Sequence, residues 1–244
     1  MVDISLKRGS RGFITATSGG GKTTLALALC EAMPSPLVIV DTKYDPGIGA
    51  WARKNKVRIE SKKMPDWKSI KSDLVVRPDE TWLANPEDID WWLGQAFKCK
   101  YVPSIYIDEG YQVGATPHKM GQGVTALWTR GRVFGFRTLI GAQRPNNISP
   151  FAITESDVLY IGALPLETDR QKVYAATGEK DVLERVPKRT FLYIRRDQDG
   201  AVRLKPLDIS LASLYRGKER KDTLTKFPRL EESLVSRIRR FFTE

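Results

Sequence analysis

An α/β fold with a central, mainly parallel sheet flanked by helices is what this chain of 244 residues predicts. Three observations carry that expectation. Short apolar runs alternate with longer segments of helical spacing. A glycine-rich turn lies between one such run and a helix, and another run ends in a pair of acids. Strand, helix, strand in repeated order calls for parallel strands, because a parallel connection needs a long crossover and the crossovers cover both faces. Those crossovers are expected to be right-handed.

Taken along the chain, the expected strands are Gly12 to Ala16, Leu37 to Asp41, Leu74 to Arg77, Ser104 to Asp108, Thr138 to Ala142 and Val158 to Ala163. Helical patterns fall at Lys22 to Ala32, Pro86 to Phe97, Gly123 to Val133 and Glu167 to Ala176. After Gly178 the texture changes. Arg189 to Arg196 and Ala201 to Leu207, joined by Asp197-Gln198-Asp199-Gly200, read as a β-hairpin, since Asp-Gly supplies the positive φ such a turn needs. Beyond Pro228, Leu230, Leu234, Val235, Ile238 and Phe241 fall at helical spacing, with Arg237, Arg239 and Arg240 on the other side. The expected organisation is a core over residues 1–185 and a C-terminal hairpin and basic amphipathic helix over 186–244, packed on the core or on a neighbouring subunit.

Composition narrows the function class. Hydrophobic residues make up 41% of the chain, enough for a core and too many for wholesale disorder. No apolar run approaches the ~18 residues of a membrane span, so no transmembrane segment is expected. Met1 to Ser10 holds Asp3, Lys7 and Arg8 without an apolar centre and does not read as a signal peptide. Cys30 and Cys99 with the lone His118 cannot complete a zinc cluster or a disulfide framework.

The net charge is +11, unevenly spread. Trp51 to Ser72 has eight Lys/Arg against two acids, Tyr111 to Thr154 has five against none, and Val186 to Glu244 has fifteen against eight. Such concentrated positive charge attracts polyanions, and on charge alone a solvated basic surface is an equal reading.

The first chemical motif is Ala16-Thr17-Ser18-Gly19-Gly20-Gly21-Lys22-Thr23, between an expected strand and an expected helix. It fits a phosphate-binding P-loop with Ala16 in place of the usual first glycine. Glycines let the backbone wrap phosphates closely with N–H groups inward, and the helix N-terminus adds its positive dipole. Ser18, Gly19, Gly20, Gly21, Lys22, Thr23 and Thr24 are therefore the candidate nucleotide-binding residues. Lys22 would reach the β- and γ-phosphates of ATP, and Thr23 would ligate Mg2+.

The second motif is the apolar strand Ser104-Ile105-Tyr106-Ile107 ending in Asp108-Glu109. Ligands of open α/β sheets bind at the carboxyl ends of the strands, which brings both acids beside the P-loop. Asp108 would hold the magnesium shell, and Glu109 would orient or deprotonate the attacking water. The third constellation runs from Thr129-Arg130-Gly131-Arg132 through Gly135 and a further apolar strand to Gln143-Arg144-Pro145. It delivers Gln143 to the same sheet edge, where its amide could sense the γ-phosphate or simply anchor a loop.

With these residues in place, the sequence resembles the FtsK–HerA superfamily of DNA-pumping ATPases, and within it the genome-packaging ATPases of tailless, membrane-containing icosahedral viruses. The resemblance covers about Gly12 to Gly178. Its carriers are the P-loop, Val38-Ile39-Val40-Asp41-Thr42-Lys43, Asp108-Glu109, and the Gly-Arg-x-x-Gly segment leading into Gln143-Arg144-Pro145.

The resemblance implies a RecA-like P-loop NTPase of the ASCE type, with an extra strand between those that carry the acids and the P-loop. It further implies a homo-oligomeric ring, expected to be hexameric, with nucleotide at subunit interfaces and double-stranded DNA in the channel. Arg132 matches the superfamily's arginine finger, with Arg130 and Arg137 as rivals. The chain departs from cellular relatives in lacking a recognisable membrane anchor, N-terminal barrel or winged helix, which favours a minimal viral motor.

The expected activity is Mg2+-dependent ATP hydrolysis that packages a viral genome into a preformed capsid. Capsid or vertex proteins would be its partners, and the host cytoplasm or the virion packaging vertex its location. A nucleotide-switched assembly or extrusion protein is the alternative. A small-molecule kinase is weakened by Glu109 and Gln143.

Overall fold

Nine strands form one sheet in the computed structural model, which describes residues 4–61, 63–114, 116–197 and 200–204. They are β1 (Arg11–Thr15), β2 (Leu37–Val40), β3 (Arg58–Glu60), β4 (Leu74–Val76), β5 (Ser104–Ile107), β6 (Arg137–Ala142), β7 (Val158–Ile161), β8 (Phe191–Arg195) and β9 (Ala201–Leu204). Their order is β3-β4-β2-β5-β6-β1-β7-β8-β9. All pairings from β3 to β7 are parallel, and β8 and β9 add an antiparallel end. β6 lies between β5 and β1, where the extra strand was expected.

Seven α-helices accompany the sheet among the described residues: α1 (Lys22–Glu31), α2 (Pro46–Lys54), α3 (Glu80–Ala84), α4 (Pro86–Gly94), α5 (Gln122–Phe134), α6 (Pro150–Thr154) and α7 (Glu167–Thr177). Period-two alternation along the buried strands feeds a core on each face. Phe13, Val38, Val40, Ile105 and Ile140 face α4, α5, α6 and α7, whereas Ile14, Leu37, Ile39, Tyr106 and Leu139 belong to the cluster with α1 and α2. Because both sheet faces are covered, the inner strands read as unbroken apolar runs, and those were the strands visible in the sequence.

The elements that escaped sequence reading lack such runs. β3 is Arg-Ile-Glu at the sheet edge. α2 contains two glycines, yet Asp45 caps it by accepting from Gly47 N at 2.7 Å, and Pro46 occupies the first turn. A cap of this kind contributes about 1 kcal/mol, and proline is preorganised for that position. The expected helix Pro86 to Phe97 ends earlier, at Gly94, and continues as a 3-10 turn over Gln95–Lys98.

The hairpin forms as β8 and β9, and it extends the central sheet through the β7–β8 pairing. The expected C-terminal helix lies outside the described residues.

α4 and α5 lock together through Asp90. Its buried carboxylate accepts from Gly123 N at 2.9 Å and Val124 N at 2.8 Å, satisfying amides at the start of α5. A Cβ on Gly123 would stand 1.7 Å from the Asp90 carbonyl oxygen, so only glycine permits this approach. Burial pushes the Asp90 carboxyl above its ordinary range, against the opposing effect of these hydrogen bonds.

Candidate functional site

β1 ends at Thr15, and the chain turns through residues 16–21 into α1. Thr17 N donates to Ala163 O at 2.9 Å and Gly20 N to Thr17 O at 2.9 Å, which fixes the loop against the end of β7 and on itself. Gly19 and Gly21 sit at φ 69° and 95°, the left-handed region that a side chain disfavours. At Gly20 a Cβ would come within 2.8 Å of Thr17 O. All three glycines are therefore required by the backbone path. Gly21 caps α1 with no side-chain hydrogen bond, leaving first-turn amides for an anion.

A cleft of about 500 Å³ opens over this loop. Its walls include Ser18, Gly19, Gly21, Lys22, Thr23, Thr24 and Gln143, all expected from the sequence. The expected Gly20 is not among its lining residues; its carbonyl oxygen accepts from Arg189 N at 3.1 Å. Asp45 and Arg189 also line the cleft, and the sequence reading gave neither a role there. Asp45 was detectable as an Asp-Pro helix start on a strand's carboxyl edge. Nothing local marked Arg189, whose proximity depends on β8 pairing with β7.

Lys22 and Asp108 are brought into direct contact. The Lys22 ammonium donates to Asp108 Oδ1 at 2.6 Å and to Asp108 O at 2.8 Å, with both residues buried. Gly141 on β6 makes room for this contact, since a Cβ there would lie 2.4 Å from Asp108 O and 3.2 Å from Lys22 Nζ. Tyr106 donates its hydroxyl to Asp108 Oδ1 at 2.6 Å. Burial and the adjacent Asp108 charge hold that phenol well above its ordinary pKa, which keeps it a donor.

Glu109, only 1% exposed, is paired on both carboxylate oxygens. Gln143 N donates to Oε1 at 3.0 Å, and Lys43 contacts Oε2. Asp108 and Glu109 therefore stand behind the cleft lining, Asp108 linked to it through Lys22. Lys43, just beyond β2, is thereby tied to the acid pair.

A second acidic relay reaches the cleft from β2. Thr23 donates its hydroxyl to Asp45 Oδ2 at 3.0 Å. Asp45 N in turn donates to Asp41 Oδ1 at 2.9 Å, and Arg77 Nε to Asp41 Oδ2 at 2.8 Å. Burial raises the Asp41 carboxyl, with the Asp45 amide and Arg77 opposing it. Thr23 and Asp45, which line the cleft, offer oxygen donors of the hard type that suits Mg2+, and Asp108 stands behind them, engaged by Lys22 and Tyr106. The glycine cradle and the buried ammonium likewise fit a polyphosphate.

Arg132 is elsewhere. It lies near the C-terminal end of α5, 3.9 Å from Asp157, with a side chain 61% exposed. Asp157 binds Arg11 at the start of β1, the end of the strand opposite the P-loop. Five residues at about 3.3 Å each separate these ends, so Arg132 cannot reach the cleft of its own chain. Its rivals are engaged: Arg130 stacks over Phe97 at 5.3 Å and Arg137 Nε donates to Leu6 O at 3.0 Å.

No family model matches the chain. Over 132 residues it is 32% identical to the DNA packaging ATPase P9 of Enterobacteria phage PRD1, a match covering 49% of this chain and 56% of that protein. The genome packaging NTPase B204 of Sulfolobus turreted icosahedral virus 2, solved with AMPPCP, superposes with a TM-score of 0.60 at 12% identity, over 81% of this chain and 97% of that one. B204 of Sulfolobus turreted icosahedral virus, described as a DNA-packaging ATPase, gives 0.60 at 14% identity, over 82% and 99%. The fold is thus that of a P-loop NTPase, as the motifs led one to expect, and it is similar to that of the packaging NTPases just named.

Proposed function

We propose that this chain is a Mg2+-dependent ATPase that translocates double-stranded DNA, packaging a viral genome into a preformed capsid. The observation that carries the reading is the glycine-walled cleft whose lysine, Lys22, is anchored on Asp108 with Glu109 immediately beyond it. Similarity to P9 and to B204 supports the packaging role.

In this reading the amides of the loop and Lys22 bind the phosphates of ATP, with Ser18, Thr23 and Thr24 along the same wall. Thr23 and Asp108 would hold Mg2+, which would supply neutralisation of the phosphate charge. Glu109 orients and deprotonates the attacking water, fixed by Gln143 N. Gln143 also lines the cleft and senses the γ-phosphate. Arg132 completes the site of a neighbouring subunit, which requires a ring, taken here as a hexamer.

DNA occupies the channel, contacted by basic loops such as 116–121 with its exposed Lys119. Capsid or vertex proteins receive the ring at the packaging vertex, with assembly in the host cytoplasm. Residues 1–185 form the ATPase core, and 186–244 join it through β8, which pairs with β7 and follows Arg189 at the cleft.

The test is ATPase rate with and without double-stranded DNA, measured alongside solution mass. DNA-stimulated turnover by a ring-sized particle is expected. Nucleotide binding with no DNA stimulation would move the reading to a nucleotide-switched assembly protein, and phosphate transfer to a metabolite would expose a kinase.

A further inference from the structure

Arg189 belongs to no sequence motif, yet three independent features of its placement converge. It lines the cleft together with Gln143 and the P-loop residues. Its backbone N–H donates to Gly20 O at 3.1 Å, and a Cβ on Gly21 would lie 3.7 Å from its Cα and 3.8 Å from its Cγ, so its main chain and side-chain stem both lie against the loop. The residue is exposed, and its guanidinium forms no ion pair or hydrogen bond among the described residues.

The backbone adds a further point. Thr190 N donates to Pro187 O at 3.2 Å, closing a turn in which Arg189 has φ 62°. Glycine or asparagine is the usual occupant of such a position. An arginine held there against local preference fits a side chain with a use, because departures from backbone preference concentrate at functional sites.

We infer that Arg189 is a second phosphate-binding cation of the nucleotide cleft, acting within its own chain and on the opposite side of the P-loop from Asp108. This rests on the cleft binding nucleotide. Lys22 is paired with Asp108 in this structure, whereas Arg189 has no ion-pair partner among the described residues, so it adds a second positive charge for the ligand beside that of Lys22. An arginine offers paired donors to phosphate oxygens, which a point charge does not. Arg189 leads directly into β8, so a bound polyphosphate would engage the P-loop and the antiparallel end of the sheet together.

The experiment titrates the full chain with ATP and, separately, inorganic tripolyphosphate, for wild type, Arg189→Gly and Arg189→Lys, and records thermal unfolding without ligand. Glycine suits φ 62° and keeps the N–H to Gly20, so Arg189→Gly should unfold no earlier than wild type. It should weaken both ligands by roughly tenfold or more, the scale of one lost charged hydrogen-bond set. Arg189→Lys should recover part of that loss. Unchanged affinity in Arg189→Gly would overturn the inference, as would a lysine variant no better than glycine, or a loss confined to ATP. Wild-type protein that binds neither ligand, with Lys22→Ala indistinguishable from it, would instead overturn the nucleotide reading itself.

Discussion

Lys43, three residues past the end of β2, holds the carboxylate of Glu109, two residues past the end of the adjacent strand β5. The pair fixes the proposed base in a site where it is only 1% exposed. Removing one partner of a buried pair costs more than the pair's own worth, because it strands the other charge. Lys43→Met should therefore lower stability by about 1–3 kcal/mol, and in a Glu109→Gln background the same change should cost little. Denaturant unfolding of the four-member cycle checks this; additive losses would show that the two residues are not coupled.

Lys22 and Glu109 should fail differently. Lys22→Ala removes a group that serves ground and transition states, so ATP affinity falls; Glu109→Gln removes a group needed only while water attacks, so binding persists and turnover stops. Equilibrium ATP binding paired with steady-state hydrolysis separates them. Normal hydrolysis by Glu109→Gln protein would remove Glu109 from its role as base.

For Arg132, the expected result is rescue between defective subunits. Arg132→Ala rings should bind ATP and hydrolyse it ~10³-fold more slowly, the order of effect of losing an arginine finger. Mixing them with Lys22→Ala subunits creates interfaces with an intact loop on one side and an intact arginine on the other, so turnover should reappear. Full-rate hydrolysis by diluted monomer, with no rescue on mixing, would refute a shared site.

Acid stability should report on Asp157. Burial alone would raise its carboxyl, but Arg11, donating from its backbone N and Nε to Oδ2 and from Nη2 to Oδ1, outweighs burial and holds it below the ordinary range. A folded-state pKa below the unfolded value means that the stabilisation is complete above about pH 4 and is lost as pH falls through the folded value. The melting-temperature gap between wild type and Asp157→Asn should be wide at pH 7 and shrink below pH 4. A gap independent of pH would count against the ion pair.

The legible part of this molecule is its centre. Strands buried on both faces must be apolar throughout, and a loop that wraps phosphate must be glycine-rich, so β1, β2, β5, β6 and the residues from Ser18 to Thr24 could be read before any fold was known. β3 was invisible because an edge strand of three residues has no pattern to show. Lys43 and Arg189 were obscure for another reason: the function of each depends on which strands become neighbours, and the β2–β5 and β7–β8 pairings are written nowhere locally. Gly141 looked like an ordinary strand glycine until Lys22 was seen to need the space beside it.

The length of β1 carries a consequence for economy. It keeps Arg132 and the cleft of the same subunit at opposite ends of the sheet. On the proposed reading, a subunit that depends on a borrowed arginine would idle until a neighbour docks, so fuel would be spent only after the machine has been built. Free copies would then need no inhibitor, since the distance along one strand would silence them.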